Sequence, residues 1–145
     1  MKLLDYLKQN KLYLDGGMGT LLHSRGLIAG ELPETWNLTH PDVICDIHRA
    51  YYDAGSNVVS TNTFGANGLK FPTGELKNII GAAVANARRA MELTANKGEK
   101  FVALDVGPSG RLLKPYGDFD FEDAVALFSE VVRIGSDCGV DLIFI

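Results

Sequence analysis

Short apolar segments rich in β-branched residues alternate with amphipathic segments along this 145-residue chain. Strands are predicted at 12–15, 57–61, 101–105 and 140–145. Between them, apolar side chains recur at helical spacing. The helices are predicted at 41–54, 75–95 and 121–138. This βαβαβαβ order is typical of parallel strands joined by right-handed helical crossovers, so the sequence predicts an α/β fold.

Proline and glycine residues mark the predicted helix ends. Pro41 suits the first position of a helix, because proline has no N–H to donate there. Gly55 and Gly139 suit the position just past a helix, where the backbone often adopts a positive φ. Asp120 is the expected N-cap of the last helix. A short amphipathic helix is also predicted within 1–11.

Composition and charge exclude several classes of protein. The formal net charge is −4 and Lys and Arg do not cluster, so a nucleic-acid-binding surface is not expected. No apolar run approaches the roughly 18 residues of a membrane span, and the N-terminus lacks the apolar core of a signal peptide. Cys45 and Cys138 match no metal or disulfide spacing, and His23, His40 and His48 form no motif with them. These features predict a cytoplasmic protein with reduced thiols and no metal site in this chain.

Each of the first three predicted strands ends in a loop with glycine and small polar residues. The loops are DGGMGT at 15–20, TNTFGAN at 61–67 and DVGPSG at 105–110. Ligands meet both doubly wound sheets and eight-stranded barrels at the carboxyl ends of the strands. An open sheet usually uses one such loop, whereas three in succession favour the rim of a barrel. A complete barrel takes about 250 residues, so three βα units and a fourth strand correspond to about half of one.

The glycine-rich loop allows three interpretations. A phosphate cradle is weak, because the dinucleotide fingerprint would need glycine in place of Leu22 and a P-loop would need a lysine. A second interpretation is that the glycines only turn the chain. In the third, exposed N–H groups hold a ligand carboxylate while Asp15 faces an ammonium group. Those two groups are the two ends of an amino acid.

The next two loops are ambiguous in the same way. Thr61, Asn62 and Thr63 would orient a small polar ligand, or would serve turn chemistry and helix capping. A tight turn is predicted at 107–108, where glycine precedes proline. Asp105 is interpreted as a structural cap of that loop in preference to a catalytic group.

Three segments in order resemble a known family. They are LDGGMGT at 14–20, NLTHPDVICDIHRAYYDAGSNVVSTNTFGAN at 37–67 and DVGPSGRLL at 105–113. They are similar to the opening half of the homocysteine S-methyltransferase family, and most resemble the N-terminal, homocysteine-binding domain of its cobalamin-dependent methionine synthase branch. The resemblance implies the first half of a (β/α)8 TIM barrel. Residues 1–145 would then be a partial homocysteine-binding barrel domain that ends after the fourth strand.

The resemblance also implies a homocysteine pocket at the strand ends. The substrate-binding residues that it implies are Asp15, Gly16, Gly17, Met18, Gly19, Thr20, Thr61, Asn62, Thr63, Gly107 and Pro108. The backbone around Met18 and Gly19 would approach the substrate, and Asp15 would lie at the pocket floor. In the family, an acidic residue that holds the substrate amino group follows the fourth strand, beyond Ile145.

The same resemblance implies cofactors that other parts of a longer protein would hold. In the family, Zn²⁺ is bound by three cysteines in the second half of the barrel, so no metal ligand or catalytic residue is expected in this chain. Zinc would deprotonate the homocysteine thiol, whose free pKa is about 8.5, and the thiolate would accept a methyl group to give methionine. The donor in the most similar branch is cobalamin, which methyltetrahydrofolate recharges on other domains. Relatives use betaine or S-methylmethionine.

Two other functions stay open at this point. The chain would be a non-catalytic half-barrel module that self-associates through the open edges of its first and fourth strands. Alternatively, it would be a small doubly wound protein that binds a phosphorylated ligand. Under the methyltransferase hypothesis the chain alone is expected to be inactive. Its partners would be homocysteine, the complementary half of the barrel and the cobalamin and folate domains, with no nucleic acid or membrane.

Overall fold

Helices and parallel strands alternate in a computed structural model, which describes residues 2–145. The helices are α1 Leu3–Leu7, α2 Gly19–Ser24, α3 Trp36–Thr39, α4 Pro41–Asp53, α5 Thr73–Leu93 and α6 Phe121–Asp137, with a 3-10 turn at Pro33–Thr35. The strands are β1 Val58–Ser60, β2 Phe101–Asp105 and β3 Leu142–Phe144. The predicted α/β fold class and the three predicted crossover helices are confirmed.

The strands follow one another across the sheet in chain order. The order is β1–β2–β3, and both pairs are parallel, with Val58 opposite Phe101 and Ala103 opposite Leu142. On the other side of β1, Leu14 forms a parallel bridge with Val58. A doubly wound sheet reverses its strand order at a switch point, whereas this order does not reverse within residues 2–145. The topology therefore favours the barrel type.

The first predicted strand, 12–15, is shorter than predicted. Only Leu14 pairs there, through a single bridge to Val58. Beyond that bridge, the Ser60 N–H donates to the Asp15 carboxylate at 2.8 Å instead of to a main-chain carbonyl. A side chain thus replaces the next partner that a parallel ladder would need, and the segment continues as a loop.

One face of the sheet packs against the long helices. Val102 and Leu104, two residues apart on β2, point to this face because side chains alternate along a strand. Leu104 packs with Leu76 of α5 and Val131 of α6, and Val102 packs near Tyr52 of α4. These side chains are almost fully removed from water, so their burial drives the docking of the helices on the sheet.

The opposite face is apolar as well. Val58, Phe101 and Ala103 form a cluster there with Leu3 and Tyr6 of α1. The rings of Tyr6 and Phe101 lie edge to face with their centroids 5.6 Å apart. Strands that are buried on both faces are typical of parallel sheets. α1 therefore covers this second face of the sheet near the start of the strands and leaves the carboxyl ends of the strands open.

The helix boundaries follow the local signals. Pro41 begins α4, and Gly55 and Gly139 follow α4 and α6 with φ values of 109° and 81°. Asp120 occupies the N-cap position of α6, but its carboxylate pairs with Lys114 at 2.9 Å instead of capping the helix. The predicted N-cap position of Asp120 is confirmed, but its side chain forms an ion pair and does not cap the helix.

The outer edge of β3 is open in the described part of the chain. No strand within residues 2–145 pairs with it, and Ile143 and Phe144 are partly exposed. Phe121 and Val125 of α6 are also exposed. Self-association through this edge stays a prediction.

α5 is the longest helix of residues 2–145, with 21 residues. Its exposed face carries charged side chains, including Lys77 and Glu92. Neither α5 nor any other helix in this part of the chain is long and apolar enough to cross a membrane.

Two helical glycines test the packing of α6 on the sheet. A Cβ at Gly135 would lie 2.5 Å from Cδ2 of the fully buried Leu104, whereas a Cβ at Gly81 would lie 3.9 Å from its nearest neighbour, Cys138 Sγ. We expect Gly135→Ala to lower the free energy of unfolding by about 1–2 kcal/mol despite alanine's better helix propensity. Gly81→Ala, the matched control, should raise it by about 0.5–1 kcal/mol. Urea unfolding followed by Trp36 fluorescence measures both, and equal effects at the two sites would contradict this packing.

Candidate substrate-binding site

A cavity of about 450 Å³ opens at the carboxyl ends of the strands. It is bounded by the glycine-rich loop, the ends of β1 and β2, and the 3-10 turn. Its lining residues are Leu14, Asp15, Gly16, Gly17, Met18, Gly19, Pro33, Glu34, Ser60, Thr61, Asn62, Phe64, Asp105 and Phe144. The loops after residue 14 and after β1, far apart in the sequence, thus meet at one end of the sheet.

Asp15 is fixed in the cavity wall by the end of β1. Its carboxylate accepts hydrogen bonds from the Ser60 N–H at 2.8 Å and from Ser60 Oγ at 3.1 Å. Burial raises the pKa of Asp15 above its ordinary value, and the hydrogen bonds from Ser60 oppose that change. The contact aligns the glycine-rich loop with the strand and orients the carboxylate.

The glycines next to Asp15 allow a close approach of α4. Tyr51 of α4 donates a hydrogen bond from its hydroxyl to the Gly17 carbonyl at 2.8 Å. A Cβ at Gly16 would lie 2.9 Å from the same hydroxyl oxygen. Gly16, Gly17 and Gly19 do not have positive φ values. Contact with Tyr51, and not a left-handed turn, therefore accounts for the bare backbone at Gly16.

Thr61 and Thr63 tie the ends of β1 and β2 together. The Asp105 N–H donates to Thr61 Oγ1 at 3.1 Å, and Thr63 Oγ1 donates to the Asp105 carbonyl at 2.7 Å. The two hydroxyl oxygens are themselves 2.7 Å apart. Thr61 reaches the cavity wall, whereas Thr63 is buried behind it. The turn chemistry that the sequence left open as an alternative is thus present.

The 3-10 turn and the start of α3 close the cavity on another side. Asn37 Nδ2 donates to the carbonyls of Glu34 and Asn62 at 2.9 and 2.8 Å, and Asn62 Nδ2 donates to the Pro33 carbonyl at 2.8 Å. Glu34 is only 4% exposed; its Oε1 accepts the Gly65 N–H at 2.7 Å, and its Oε2 has no hydrogen-bond partner. These buried contacts hold this segment against the end of β1.

The remaining predicted residues lie outside this cavity. Thr20 is on α2, one residue past the lining segment. Gly107 and Pro108 line a separate apolar cavity with Phe64 and Phe128. Gly107 donates its N–H to the Phe64 carbonyl at 3.1 Å, and a Cβ at Gly107 would collide with that carbonyl oxygen. The structure therefore brings the first two loops together and separates the 107–108 turn from them by the Phe64 backbone.

Asp105 lies in the wall of the cavity, although the sequence favoured a capping role. Burial, and to a smaller extent the charge of Asp15, raises the pKa of Asp105 to about 6. The sequence did carry a signal for Asp105, because this aspartate stands at the end of a strand, as Asp15 does in the predicted strand 12–15. Glu34 had no such signal, since it belongs to the 3-10 turn, which only the packing of the chain brings to the strand ends.

The cavity is acidic. Asp15, Glu34 and Asp105 are its charged lining residues in the described part of the chain, and no Lys, Arg or His lines it. Like charges repel more strongly where water is partly excluded, so an anion would be disfavoured. The site suits a ligand with a cationic group and argues against a phosphorylated ligand.

Residues 2–145 do not fit the zinc ion that the resemblance implies. No group of three or more His, Cys, Asp or Glu side chains in this range is arranged to hold a metal. Cys45 is buried on α4, and Cys138 lies at the end of α6. His48 is fully buried on α4, where burial lowers its pKa to about 4, and the ring of His40 stacks on Trp36.

The fold and the cavity define an α/β protein of the TIM-barrel type with a candidate ligand site at the carboxyl ends of its strands. The sequence profile described as homocysteine S-methyltransferase matches residues 12–145. The chain therefore belongs to the homocysteine S-methyltransferase family.

Similar proteins agree with this assignment. Methionine synthase of Mycobacterium tuberculosis (strain ATCC 25618 / H37Rv) is 32% identical over 99% of this chain, and that of Mycobacterium leprae (strain TN) is 31% identical over 99%. The homocysteine methyltransferase MmuM from Escherichia coli superposes with a TM-score of 0.82 and 26% identity in its metallated form. Its apo form gives a TM-score of 0.75 and 32% identity.

The chain spans only part of each of these relatives. It corresponds to 13% of either methionine synthase. The superposition with MmuM includes 97% of this chain but 55% of the metallated and 50% of the apo chain. The structural match is thus to about half of a TIM-barrel enzyme.

The two aspartates of the cavity should influence each other's titration. Because the charge of Asp15 contributes to the raised pKa of Asp105, we expect Asp15→Asn to lower the pKa of Asp105 by about 0.5. A larger decrease is not expected, since burial is the main cause. Carbon-detected NMR of the aspartate carboxyl groups measures the titration. Asp46→Asn, which removes a surface carboxylate that pairs with Arg49, should leave the pKa of Asp105 unchanged. An unchanged pKa of Asp105 in Asp15→Asn would show that the two carboxylates do not interact.

The raised pKa of Asp105 should also make the stability of the chain depend on pH. The pKa of Asp105 is higher in the folded chain, about 6, than its ordinary 3.8. Its favourable contribution is therefore present below pH 4 and lost as the pH rises through about 6. We expect Asp105→Asn to be more stable than the wild type at pH 7.5 by about 1 kcal/mol, less than the full shift implies because the group is only half buried. Urea unfolding of the wild type and the variant at pH 4 and at pH 7.5 measures this difference. A variant less stable than the wild type at pH 7.5 would contradict the prediction.

Proposed function

We propose that the chain is the amino-acid-binding part of a homocysteine S-methyltransferase of the methionine synthase type, and that its cavity binds homocysteine. The observation that carries the proposal is the family match over residues 12–145, a range that includes every lining residue of the cavity. The acidic, partly enclosed site supports it, because homocysteine brings an ammonium group to be recognised.

The ammonium group of the substrate would contact Asp15. Ser60 fixes that carboxylate through two hydrogen bonds, yet a carboxylate can accept about four, so lone pairs remain for a ligand. Charge-assisted hydrogen bonds of this kind are stronger than neutral ones. A fixed acceptor also loses little freedom when the ligand binds, which favours affinity.

The carboxylate of the substrate would contact the backbone of the glycine-rich loop. Gly17, Met18 and Gly19 line the cavity, and the first two of them precede α2. Successive N–H groups with little side-chain cover bind anions well. The glycine loop and Asp15 together would therefore hold the two ends of an amino acid and leave the thiol free to point elsewhere.

Thiol activation is not assigned to the residues of this chain. Residues 2–145 offer no ligand set for zinc, and the relatives are longer than this chain. We propose that zinc, cobalamin and methyltetrahydrofolate bind to parts of the protein beyond these residues, including a complementary half of the barrel. The part described here would bind and orient the substrate, in the cytoplasm.

Calorimetry with L-homocysteine tests this function. The 145-residue chain should bind the amino acid, and Asp15→Asn should weaken binding about tenfold or more, because an ammonium group would lose a charged acceptor. Asp46→Asn removes a surface carboxylate of α4 that pairs with Arg49, and it should bind as the wild type does.

Inorganic phosphate and nucleoside phosphates serve as comparison ligands in the same measurement. Circular dichroism and cooperative urea unfolding of each sample establish that the protein is folded. A folded wild type that binds phosphates and not homocysteine would refute the proposal.

A further inference from the structure

The side chain of Asp105 has no role in holding the fold together. Its backbone N–H and carbonyl are fixed by Thr61 and Thr63. Its carboxylate, in contrast, makes no hydrogen bond or ion pair with residues 2–145, and only burial and the charge of Asp15 act on it. Asp15, in the same cavity, has both oxygens held by Ser60. A half-buried carboxylate that faces a cavity without a protein partner is free to accept hydrogen bonds from a ligand.

A second carboxylate in this cavity has one oxygen without a hydrogen-bond partner. Glu34 is 96% buried and lines the cavity, and its Oε2 atom accepts no hydrogen bond from the described residues. The titratable groups in the cavity around Asp105 are Asp15 and Glu34, with the hydroxyl of Tyr51 near Asp15. Behind the cavity wall, the Nζ of Lys70 and Oε1 of Glu34 both lie beside Gly65. No cationic side chain lines the cavity in the described part of the chain, so a bound cation would supply the positive charge there.

We propose that Asp105 is a second ammonium-binding residue, which together with Asp15 makes the cavity specific for ligands that carry a primary amine. The proposal rests on the proposed function, because homocysteine is the amine that the site would take. Asp105 would contact the ligand directly, and Thr61 and Thr63 position its backbone.

Proton release would accompany binding at mildly acidic pH. A cation between the two carboxylates favours their charged forms, so Asp105, whose pKa is about 6 in the free protein, would lose its proton when the ligand binds. The amino and carboxyl groups of homocysteine do not titrate between pH 5 and 7. Affinity should therefore be about tenfold weaker at pH 5 than at pH 7, and about 0.7 proton should leave per ligand at pH 5.5.

Calorimetry in buffers of different ionisation enthalpy measures both quantities. The ligands are L-homocysteine, 3-mercaptopropylamine, which lacks the carboxylate, and 4-mercaptobutanoate, which lacks the amine. We expect Asp105→Asn to weaken binding of the two amines about tenfold at pH 7 and to lose most of the pH dependence. Binding of the anion 4-mercaptobutanoate should not weaken, because the variant removes a negative charge that repels it. Asp105→Ser provides a second neutral variant, and Asp46→Asn the control.

The outcomes separate this inference from the proposed function. A wild type that binds homocysteine, together with an Asp105→Asn variant of equal affinity and equal pH dependence, would overturn the role of Asp105 and leave the proposed function standing. A folded wild type that binds neither amine would overturn both. Weaker binding together with higher stability of Asp105→Asn at pH 7.5 would support ligand recognition. Replacing a residue that merely supports the fold would instead reduce both binding and stability.

Discussion

The hydrogen bonds between Asp15 and Ser60 are the contact on which the site depends. A carboxylate replaces the main-chain partner that the Ser60 N–H would find in a parallel ladder, so the first strand segment ends and the loop begins. The same bonds carry the loop to the end of β1. Tyr51 holds the other side of the loop through its hydrogen bond to the Gly17 carbonyl. Its hydroxyl lies so close to Gly16 that a side chain at that position would collide with it. The shape of the loop and the position of its charge therefore have one physical origin.

The acidity of the cavity opposes folding and favours binding. Carboxylates that share a partly dehydrated space repel one another, and burial alone already favours their neutral forms. The raised pKa values of Asp15 and Asp105 express that cost. A bound cation would lower this cost, because it brings positive charge and hydrogen-bond donors to the carboxylates. Binding sites often carry such locally unfavourable arrangements, and replacing them stabilises a protein while impairing its function.

Much of the fold was predictable from the sequence, and so was part of the site. The apolar periods of α4, α5 and α6 and the glycines at 55 and 139 predicted those helices, because local preferences and burial agree there. The strand at 12–15 was overpredicted, since its apolar letters do not reveal that Asp15 takes the place of a backbone partner. Asp105 was visible as an acid at a strand end, but its exposure to the cavity was not.

The sequence by itself determined the order of the elements, the parallel connection of the strands and the family, because these depend on local periodicity and on motifs in succession. Only the tertiary structure decided which side chains share the cavity. Glu34 reaches it from the 3-10 turn, which Asn37 and Asn62 hold across the strand ends, and the 107–108 turn is directed away from it by the Phe64 backbone. Such juxtapositions arise from packing between segments far apart in the chain, which no local pattern encodes.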